Sequence, residues 1–316
     1  MNIRAANGET DVLDILRICN LCEPAFPVSE GQVRGWFRPA EPGRTAFRLV
    51  AERNGAAVGF ACVIHAAEAP AGLFFAWVGV DPAFRCQGIG SALWNASLAL
   101  LTAQNASLLT SEVVDNDPVG LAFAERRGFA IDRHKFHSTL HLTTFDETPY
   151  LPAIAALEAQ GIRFCTLADF PQNQEAHDKF CDLNEAVVRD IPGEYWDFSA
   201  YPAFFDDHIW NAPWFFPQNQ LLAVDGDAWV GFAGLSMNPE KHSAYNATTG
   251  VIREYRGRKI ALAMKVLAAR CARDQGAREI STDNDSLNAP MLAINRKLGY
   301  QPEPGKYTMM RKLALR

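Results

Sequence analysis

The sequence lacks any apolar run that approaches the ~18 residues of a membrane span. Its start carries Arg4 but then Glu9 and Asp11, where a signal peptide would need an apolar stretch. Cysteine is scarce: there are seven, and the only close pair, Cys19 and Cys22, has no second pair that would complete a metal site. We therefore predict no bound metal, no membrane partner and a reducing, cytoplasmic setting.

Positive charge is also in short supply. The chain has 30 Lys and Arg against 36 Asp and Glu, which gives a formal charge of −6. No domain-wide basic field exists to hold DNA or RNA, and a small cationic substrate is favoured instead. The 48% apolar and 21% charged content is typical of a globular chain, and 316 residues suffice for two domains.

The same pattern occurs twice in the chain, at an offset of 171 residues that needs no gap from Val80 onward, and one residue is inserted further upstream, between Gly59 with Gly231 and Val80 with Val251. The matched pairs include Val80 with Val251, Arg85 with Arg256, Gln104 with Gln275, Gly128 with Gly299, and Lys135 with Lys306. Such self-similarity indicates two copies of one fold. We predict one domain over residues 1–145 and a second over residues 146–316, joined by a linker near residues 143–152.

Each copy has the predicted element order βααβββαβαβ. In the first copy, Asn54-Gly55 is typical of a type I′ hairpin turn, and in the second Asp225-Gly226 takes that place. The continuous apolar run Leu73–Val80 has the length of a buried strand, and Gly128 ends a helix. The fold class is therefore α/β, with two mixed, mostly antiparallel sheets flanked by helices. An extra helix is predicted over Ala153–Gln160.

A glycine-bearing turn lies between a strand and a helix. Its sequence is Val80-Asp81-Pro82-Ala83-Phe84-Arg85-Cys86-Gln87-Gly88-Ile89-Gly90. Such a junction binds phosphate, because the first N–H groups of the helix point outward and glycines at 88 and 90 let an anion approach the backbone. The Gly-Lys-Ser/Thr of a P-loop and the third glycine of a dinucleotide fingerprint are both absent. A plain turn is the alternative.

The pattern Val-x-Pro-x-x-Arg-x-x-Gly-x-Gly, followed by Glu112, Asp117 and Arg127-Gly128-Phe129, resembles that of the GCN5-related N-acetyltransferases, the GNAT family. The resemblance covers both repeats. It implies that the fourth and fifth strands of each sheet splay apart, that acetyl-coenzyme A is the cofactor, and that an acetyl group passes directly from its thioester to an amine of a small molecule or peptide.

The resemblance also implies which residues contact the cofactor: loop amides hold the pyrophosphate, and the fourth strand pairs with the pantetheine arm. In the first repeat these positions are Val78, Gly79, Val80, Arg85, Cys86, Gln87, Gly88, Ile89, Gly90 and Ser91, with Asp117 where a pantetheine-contacting asparagine is common. In the second repeat they are Val251, Arg256, Gly257, Arg258, Asn284 and Asn288.

Glu112 is the candidate general base. It lies on the predicted fifth strand among apolar and hydroxyl side chains, where burying a carboxylate is unfavourable unless it has a functional role. The alternative is a carboxylate on the exposed face of the strand. Its repeat partner is Asp283. The family's proton-donating tyrosine would fall at Ala124 and Asn295, and neither matches. The rival function is therefore a non-catalytic sensor or scaffold that binds coenzyme A.

The two copies depart from the family pattern differently. The first keeps Gly88 and Gly90, whereas the second has Lys259 in place of the close-approach glycine and three cations at one helix start. Cations there are unfavourable unless solvent or an anion relieves them. We favour the first copy as the catalytic one.

An aromatic-rich segment precedes the second hairpin. It comprises Tyr195, Trp196, Phe198, Tyr201, Phe204, Phe205, Trp210, Trp214, Phe215 and Phe216. Burial between the two domains is the favoured use and a core is an alternative. Aromatic walls beside Asp206 and Asp207 could also receive a cationic amine.

Overall fold

A computed structural model of the chain describes residues 1–38, 43–66, 69–192, 198 and 201–313. Contacts divide the chain into two units. The first comprises Met1–His134 together with the segment that begins at Pro304, and the second comprises Lys135–Glu303.

The first unit is a mixed sheet with helices on both faces. Its elements are β1 (Asn2–Ala5), α1 (Val12–Cys22), α2 (Glu30–Trp36), β2 (Thr45–Arg53), β3 (Ala56–His65), β4 (Leu73–Val80), α3 (Ile89–Ala103), β5 (Leu108–Val114), α4 (Pro118–Glu125) and most of β12 (Gln301–Lys312). The strand order is β1-β2-β3-β4-β5-β12, and every pairing is antiparallel except β4 with β5.

Alternation along β3 builds two hydrophobic layers in this unit. Phe60 packs with Ile15 and Ile18 of α1, and Ala61 on the opposite face packs with Leu93 of α3. All five side chains are at most 1% exposed. Successive strand residues point to opposite faces, so one strand anchors helices on both sides of the sheet.

The second unit has the same architecture. Its elements are most of β6 (Ala130–His141), α5 (Leu151–Glu158), β7 (Ile162–Thr166), α6 (Gln174–Val188), α7 (Tyr201–Phe205), β8 (Gln220–Asp225), β9 (Ala228–Asn238), β10 (Ser243–Val251), α8 (Ile260–Asp274), β11 (Glu279–Asp285) and α9 (Ala289–Leu298). The strand order is β7-β8-β9-β10-β11-β6, and only β10 with β11 is parallel. The predicted α/β class with two mixed sheets is confirmed.

Each unit takes its last strand from the other repeat. Strand β12, the end of the second repeat, pairs with β5 of the first, from Lys306 opposite Val114 to Lys312 opposite Leu108. Strand β6, the end of the first repeat, pairs with β11 of the second. Each structural unit therefore consists of one sequence repeat without its own last strand, which is replaced by the last strand of the other repeat. The boundary between residues 145 and 146, which rests on the repeat alone, stays a prediction.

The two predicted hairpins have different turns. Asn54 and Gly55 both have positive φ, 52° and 81°, which confirms the type I′ turn. In the second hairpin Asp225 still pairs with Ala228, so the linking residues are Gly226, with φ 57°, and Asp227. That turn lies one residue later than predicted, because glycine takes the first position of the two-residue loop.

The aromatic segment belongs to the core of the second unit as far as it is described. Tyr201 is 2% exposed and Phe205 is fully buried, and the ring of Phe180 contacts Phe205, Phe215 and Phe232. For these residues the core alternative is correct, because Phe180 of α6 packs on Phe232 of β9 and on Phe205 of α7. Tyr195 and Trp196 lie outside the described residues. Asp206 accepts a hydrogen bond from His177 at 2.7 Å.

Candidate active site

Strands β4 and β5 diverge after a short parallel start. Leu73–Phe75 pairs with Leu108–Thr110, and beyond these residues the two strands do not pair. A cavity of about 280 Å³ lies in the gap. The same splay recurs in the second unit, where Ser243–Tyr245 pairs with Glu279–Ser281 before β10 and β11 part. The predicted splay is confirmed in both units.

The lining of the cavity comes wholly from the first unit. It includes every residue predicted for the first repeat except Gln87: Val78, Gly79, Val80, Arg85, Cys86, Gly88, Ile89, Gly90, Ser91, Glu112 and Asp117. The side chain of Gln87 accepts a hydrogen bond from Arg53 at 2.6 Å instead.

The loop after β4 is held by two side chains of its own sequence. Asp81 Oδ1 accepts from the N–H of Ala83 at 3.0 Å and starts a turn of 3₁₀ helix. Arg85 Nε donates to the carbonyl of Val80 at 3.1 Å, which ties the loop back to the end of the strand. Arg85, the arginine of the motif, thus stabilises the loop in the absence of a ligand.

The start of α3 is open to a ligand. Left-handed backbone at Cys86 (φ 60°) and Gly88 (φ 80°) turns the chain into the helix. The first helical hydrogen bond runs from Ala92 N–H to Gly88 O, 3.0 Å, so the earlier N–H groups have no acceptor within the helix. A Cβ at Gly88 would meet no atom within 4 Å. An anion could approach the backbone there.

Two arginines after α4 also line the cavity, Arg126 and Arg127. Arg127 Nη2 donates to Ser91 Oγ at 2.9 Å, and its guanidinium carbon lies 3.3 Å from the ring centroid of Phe123. Burial lowers the pKa of Arg127 from its ordinary value. Positive charge therefore surrounds the open helix terminus, which is what a phosphate-bearing ligand requires.

Two other predicted glycines make room for protein side chains. A Cβ at Gly79 would lie 2.2 Å from the indole of Trp77, and one at Gly90 would lie 3.0 Å from the ring of Phe123. The expectation that Gly90 admits an anion is corrected in this respect, because Phe123 occupies the space. Gly88 alone of the three opens onto empty space.

Glu112 lies on β5 at the cavity wall, opposite Thr308 of β12, with 41% of its side chain exposed. Its Oε2 is 3.5 Å from Nζ of Lys306. Lys306 also donates to Oε2 of Glu23 at 2.5 Å, and the indole N–H of Trp77 donates to Oε1 of Glu23 at 2.8 Å. The carboxylate thus faces a lined cavity and a charged neighbour.

Asp117 and Ala124 have plain structural roles. Asp117 Oδ1 accepts from the N–H groups of Val119 at 3.2 Å and Gly120 at 3.0 Å and so caps α4. Ala124 is buried, lines the cavity and brings no hydroxyl there. Within the described lining, the hydroxyl groups are those of Ser91 and Ser111.

The second unit repeats the backbone of the loop. Arg256 Nε donates to the carbonyl of Val251 at 2.9 Å, as Arg85 does in the first unit. Gly257 (φ 78°) and Lys259 (φ 70°) take the two left-handed positions. The glycine has moved from the second of these positions to the first while the loop keeps its shape, so a lysine bears the strain at the helix start.

One carboxylate of the second unit pairs with two arginines of the second loop. Asp190, 11% exposed, pairs with Arg253 and, at 2.6 Å, with Arg256. Hydrogen bonds from Arg253 and then Arg256 lower the pKa of Asp190 to about 2. Arg258 donates to Gln160 at 3.4 Å. In the first unit, by contrast, Nη2 of Arg85 lies 3.7 Å from the thiol of Cys22 and no described carboxylate pairs with it.

Protein side chains also fill the second splay. A Cβ at Gly250 would lie 2.0 Å from a methyl of Val187 on α6. The buried Asn284 donates to Ser138 Oγ at 2.8 Å and accepts from Asn295 at 2.8 Å. Asn288 Oδ1 accepts from the N–H of Met291 at 3.3 Å and caps α9. The side-chain amides of Asn284 and Asn288, which were predicted to contact a cofactor, form these hydrogen bonds within the protein instead.

The repeat partner of Glu112 has closer partners than Glu112 does. Asp283 accepts from the Tyr245 hydroxyl at 2.5 Å and lies 2.5 Å from His137 Nδ1. Burial, together with this hydrogen bond, raises the pKa of Tyr245. Asp283 is thus held by a phenol and an imidazole, whereas among the described residues only Lys306 approaches the carboxylate of Glu112.

Sequence patterns did not reveal four residues that shape these sites: Glu23, Trp77, Lys306 and Asp190. Glu23 follows α1 without a motif, and Lys306 is visible only as the repeat match of Lys135. The cation cluster at the second loop was a usable signal for Asp190, since such a cluster calls for a counter-charge.

Metal-ligand clusters, membrane-spanning helices and disulfides are absent from the described part of the chain. No group of three or more His, Cys, Asp or Glu side chains there could hold a metal ion. None of the described helices has both the length and the apolar character needed to cross a bilayer. All seven cysteines are free thiols.

Comparison with known proteins matches both repeats. The family model described as "Acetyltransferase (GNAT) family" matches residues 13–129 and again residues 184–300, well over half of the chain. No curated protein sequence matches the chain significantly.

Solved structures share the whole architecture. A GCN5-related N-acetyltransferase from Sphaerobacter thermophilus is 20% identical, with 98% of this chain and 95% of that chain covered and a TM-score of 0.67. A tandem GNAT protein from the clavulanic acid biosynthesis pathway is 20% identical, with 98% of each chain covered and a TM-score of 0.66. A glucosamine N-acetyltransferase region of a fungal multi-domain β-N-acetylglucosaminidase is 14% identical, with 98% and 38% covered and a TM-score of 0.68.

Proposed function

The chain belongs to the Acetyltransferase (GNAT) family, and from this premise we propose that it is an N-acetyltransferase that moves an acetyl group from acetyl-coenzyme A directly to the amine of a small molecule or peptide. The observation that carries the proposal is the cavity between β4 and β5, which joins the open start of α3 to the carboxylate of Glu112. The reaction is assigned to the first unit.

The residues around this cavity fit the charged part of the cofactor. The N–H groups at the loop and the first turn of α3, from Cys86 to Ser91, would hold the pyrophosphate, with Arg126 and Arg127 beside them. Beyond Phe75 the edge of β4 that faces β5 is unpaired. Val78, Gly79 and Val80 on this edge would bond the pantetheine arm as an added strand does.

Glu112 would act as the general base. Bound acetyl-coenzyme A supplies the acetyl group as a thioester, whose C–S bond breaks as the C–N bond forms. An acceptor enters as an ammonium ion, and its nitrogen can attack only after a proton leaves, which Glu112 accepts. No described tyrosine lines the cavity, so we assign protonation of the departing sulfur to water or a serine hydroxyl.

The second unit is proposed to be a scaffold that binds no cofactor. Arg253 and Arg256 of its loop are paired with Asp190, Val187 covers Gly250, and Asn284 is hydrogen-bonded inside the unit. An anion would have to displace a carboxylate that two guanidinium groups already hold. The seven free thiols support a reducing, cytoplasmic setting as part of the proposal.

The test is release of free thiol from acetyl-coenzyme A with a panel of acceptors: polyamines, aminoglycosides, glucosamine, amino acids and peptides. Turnover with at least one amine, reduced about a hundredfold in Glu112→Gln, is expected. Calorimetric titration with coenzyme A should give one site per chain. Binding without turnover on any amine would favour the rival role of a coenzyme A sensor, and absence of binding would refute both.

A further inference from the structure

Three charged side chains from distant parts of the sequence meet beside the cavity. Glu23 follows α1, Glu112 lies on β5, and Lys306 comes from β12, the last strand of the second repeat. Lys306 Nζ is 2.5 Å from Glu23 and 3.5 Å from Glu112. Its ammonium also lies 4.8 Å from the ring centroid of Phe26. The second repeat thus contributes a residue to the site of the first unit.

The cluster carries one carboxylate more than it has cations. Glu23 uses both oxygens, one for Lys306 and one for the indole N–H of Trp77. Glu112 shares Lys306 only at the longer distance, and its Oε1 has no partner within the described part of the chain. Glu23 and Trp77 line the cavity together with Glu112. The uncompensated charge is therefore on Glu112 and faces the cavity.

We propose that Glu23, Lys306 and Glu112 form the acceptor subsite, and that its single excess negative charge selects an amine that enters as a cation and has no carboxylate next to the amine. The proposal rests on the proposed function and specifies its substrate class. A carboxylate on the acceptor would be repelled by the negative charge of Glu112. Lys306 would not offset this repulsion, because its charge is already paired with Glu23. Lys306 is a positioning residue: it contacts Glu112 at 3.5 Å and is not part of the cavity lining.

Three forms of the protein test the charge directly. Glu23→Gln keeps an acceptor for Trp77 and brings the cluster to neutrality, whereas Lys306→Met leaves it with two excess negative charges. Matched acceptors differ by one carboxylate: tyramine with tyrosine, histamine with histidine, agmatine with arginine. The ratio of kcat/KM for amine over amino acid should be at least about tenfold in wild type, lower in Glu23→Gln and higher in Lys306→Met.

Controls separate charge from folding. Lys312→Met removes an exposed lysine from the same strand, and Glu9→Gln removes an exposed carboxylate of the first unit; both should leave the ratio unchanged. Lys306→Arg should restore the wild-type ratio. Equal ratios in wild type and both cluster variants would overturn the proposal, as would a preference for the amino acids.

A binding measurement distinguishes failure of the proposed subsite from failure of the proposed transferase function. The same acceptor pairs are titrated calorimetrically into the protein, with and without coenzyme A. If no amine turns over but amine affinity still follows the order Lys306→Met, wild type, Glu23→Gln, the transferase proposal fails and the subsite stands. If an amine turns over and neither rates nor affinities follow that order, the subsite fails and the transferase proposal stands.

Discussion

Asp190 accepts a hydrogen bond from Arg256 at 2.6 Å, so a carboxylate lies against the loop with which the second repeat would have to hold a phosphate. The contact also fixes the end of α6 to that loop through Arg253. The pairing of Asp190 with these arginines therefore affects both the stability of the fold and the binding of an anion at the second loop. The two effects can be measured separately.

Asp190→Asn should lower the melting temperature at neutral pH. The pKa of Asp190 is about 2 in the folded chain and 3.8 in its ordinary state, so the unfolded chain binds the proton first as the pH falls. The stabilisation is fully present above about pH 4 and is lost as the pH approaches 2. Thermal unfolding of variant and wild type at pH 7, 5, 4 and 3 should show a difference that is constant and then shrinks. Asp227→Asn, in an exposed turn, is the control; a difference that persists unchanged at pH 3 contradicts the assignment.

Gly88→Lys should weaken coenzyme A binding by at least about tenfold, because a side chain enters the open space before α3. The left-handed backbone alone does not forbid the change, since Lys259 adopts it in the second unit. Lys259→Gly is the matched control and should leave affinity unaltered while raising stability by about 1 kcal/mol through relief of that backbone. Calorimetric titration decides: weakening by Lys259→Gly with Gly88→Lys silent would move the site to the second unit, and comparable losses would mean two occupied sites.

Glu112→Gln should reduce kcat by about a hundredfold with coenzyme A affinity unchanged, as expected when a general base is removed. The loss should grow at low pH, where more of the acceptor amine carries a proton that must be removed. Glu125→Gln, at an exposed position on α4, is the control. Rates that match wild type across the pH range would return Glu112 to a structural role.

Lys265→Met should stabilise the protein, and more at pH 6 than at pH 9. Lys265 is 2% exposed, its ammonium has no hydrogen-bond partner among the described residues, and it lies 4.7 Å from the ring centroid of Tyr300. Burial lowers its pKa from 10.5 to about 7. The unfolded chain keeps the proton up to about pH 10.5, so the cost of burial is largest below pH 7 and fades above it. Lys297→Met, exposed on α9, is the control, and a pH-independent gain would show that packing rather than charge is responsible.

The elements and the phosphate-type loop were predictable because their signals are local. Asn54-Gly55 forms a hairpin turn, Gly128 with φ 79° follows the end of a helix, and strand β4 appears as an apolar run with the bounds found in the structure, Leu73–Val80. The partner of a last strand is not a local property, since β5 and β11 offer the same kind of antiparallel edge. For that reason neither the strand exchange nor the pairing of Lys306 with Glu23 could be derived from spacing. The roles predicted for Gly90 and Asn284 differ from those in the structure, because Phe123 of α4 and Ser138 of β6 occupy the space beside them. A sequence motif carries no information about such distant side chains.

The exchange of last strands also orders events during synthesis. The second unit is continuous from Lys135 to Glu303, so all of its strands leave the ribosome before the first unit receives β12. Gly305 N–H donates to Asp115 at 2.8 Å across 190 residues of sequence. Domains usually complete in the order in which they are translated, yet here the N-terminal unit must finish last. Until then β5 presents an unpaired edge, and a ribosome that stalls before β12 is made leaves a nascent chain able to pair with strands of neighbouring chains.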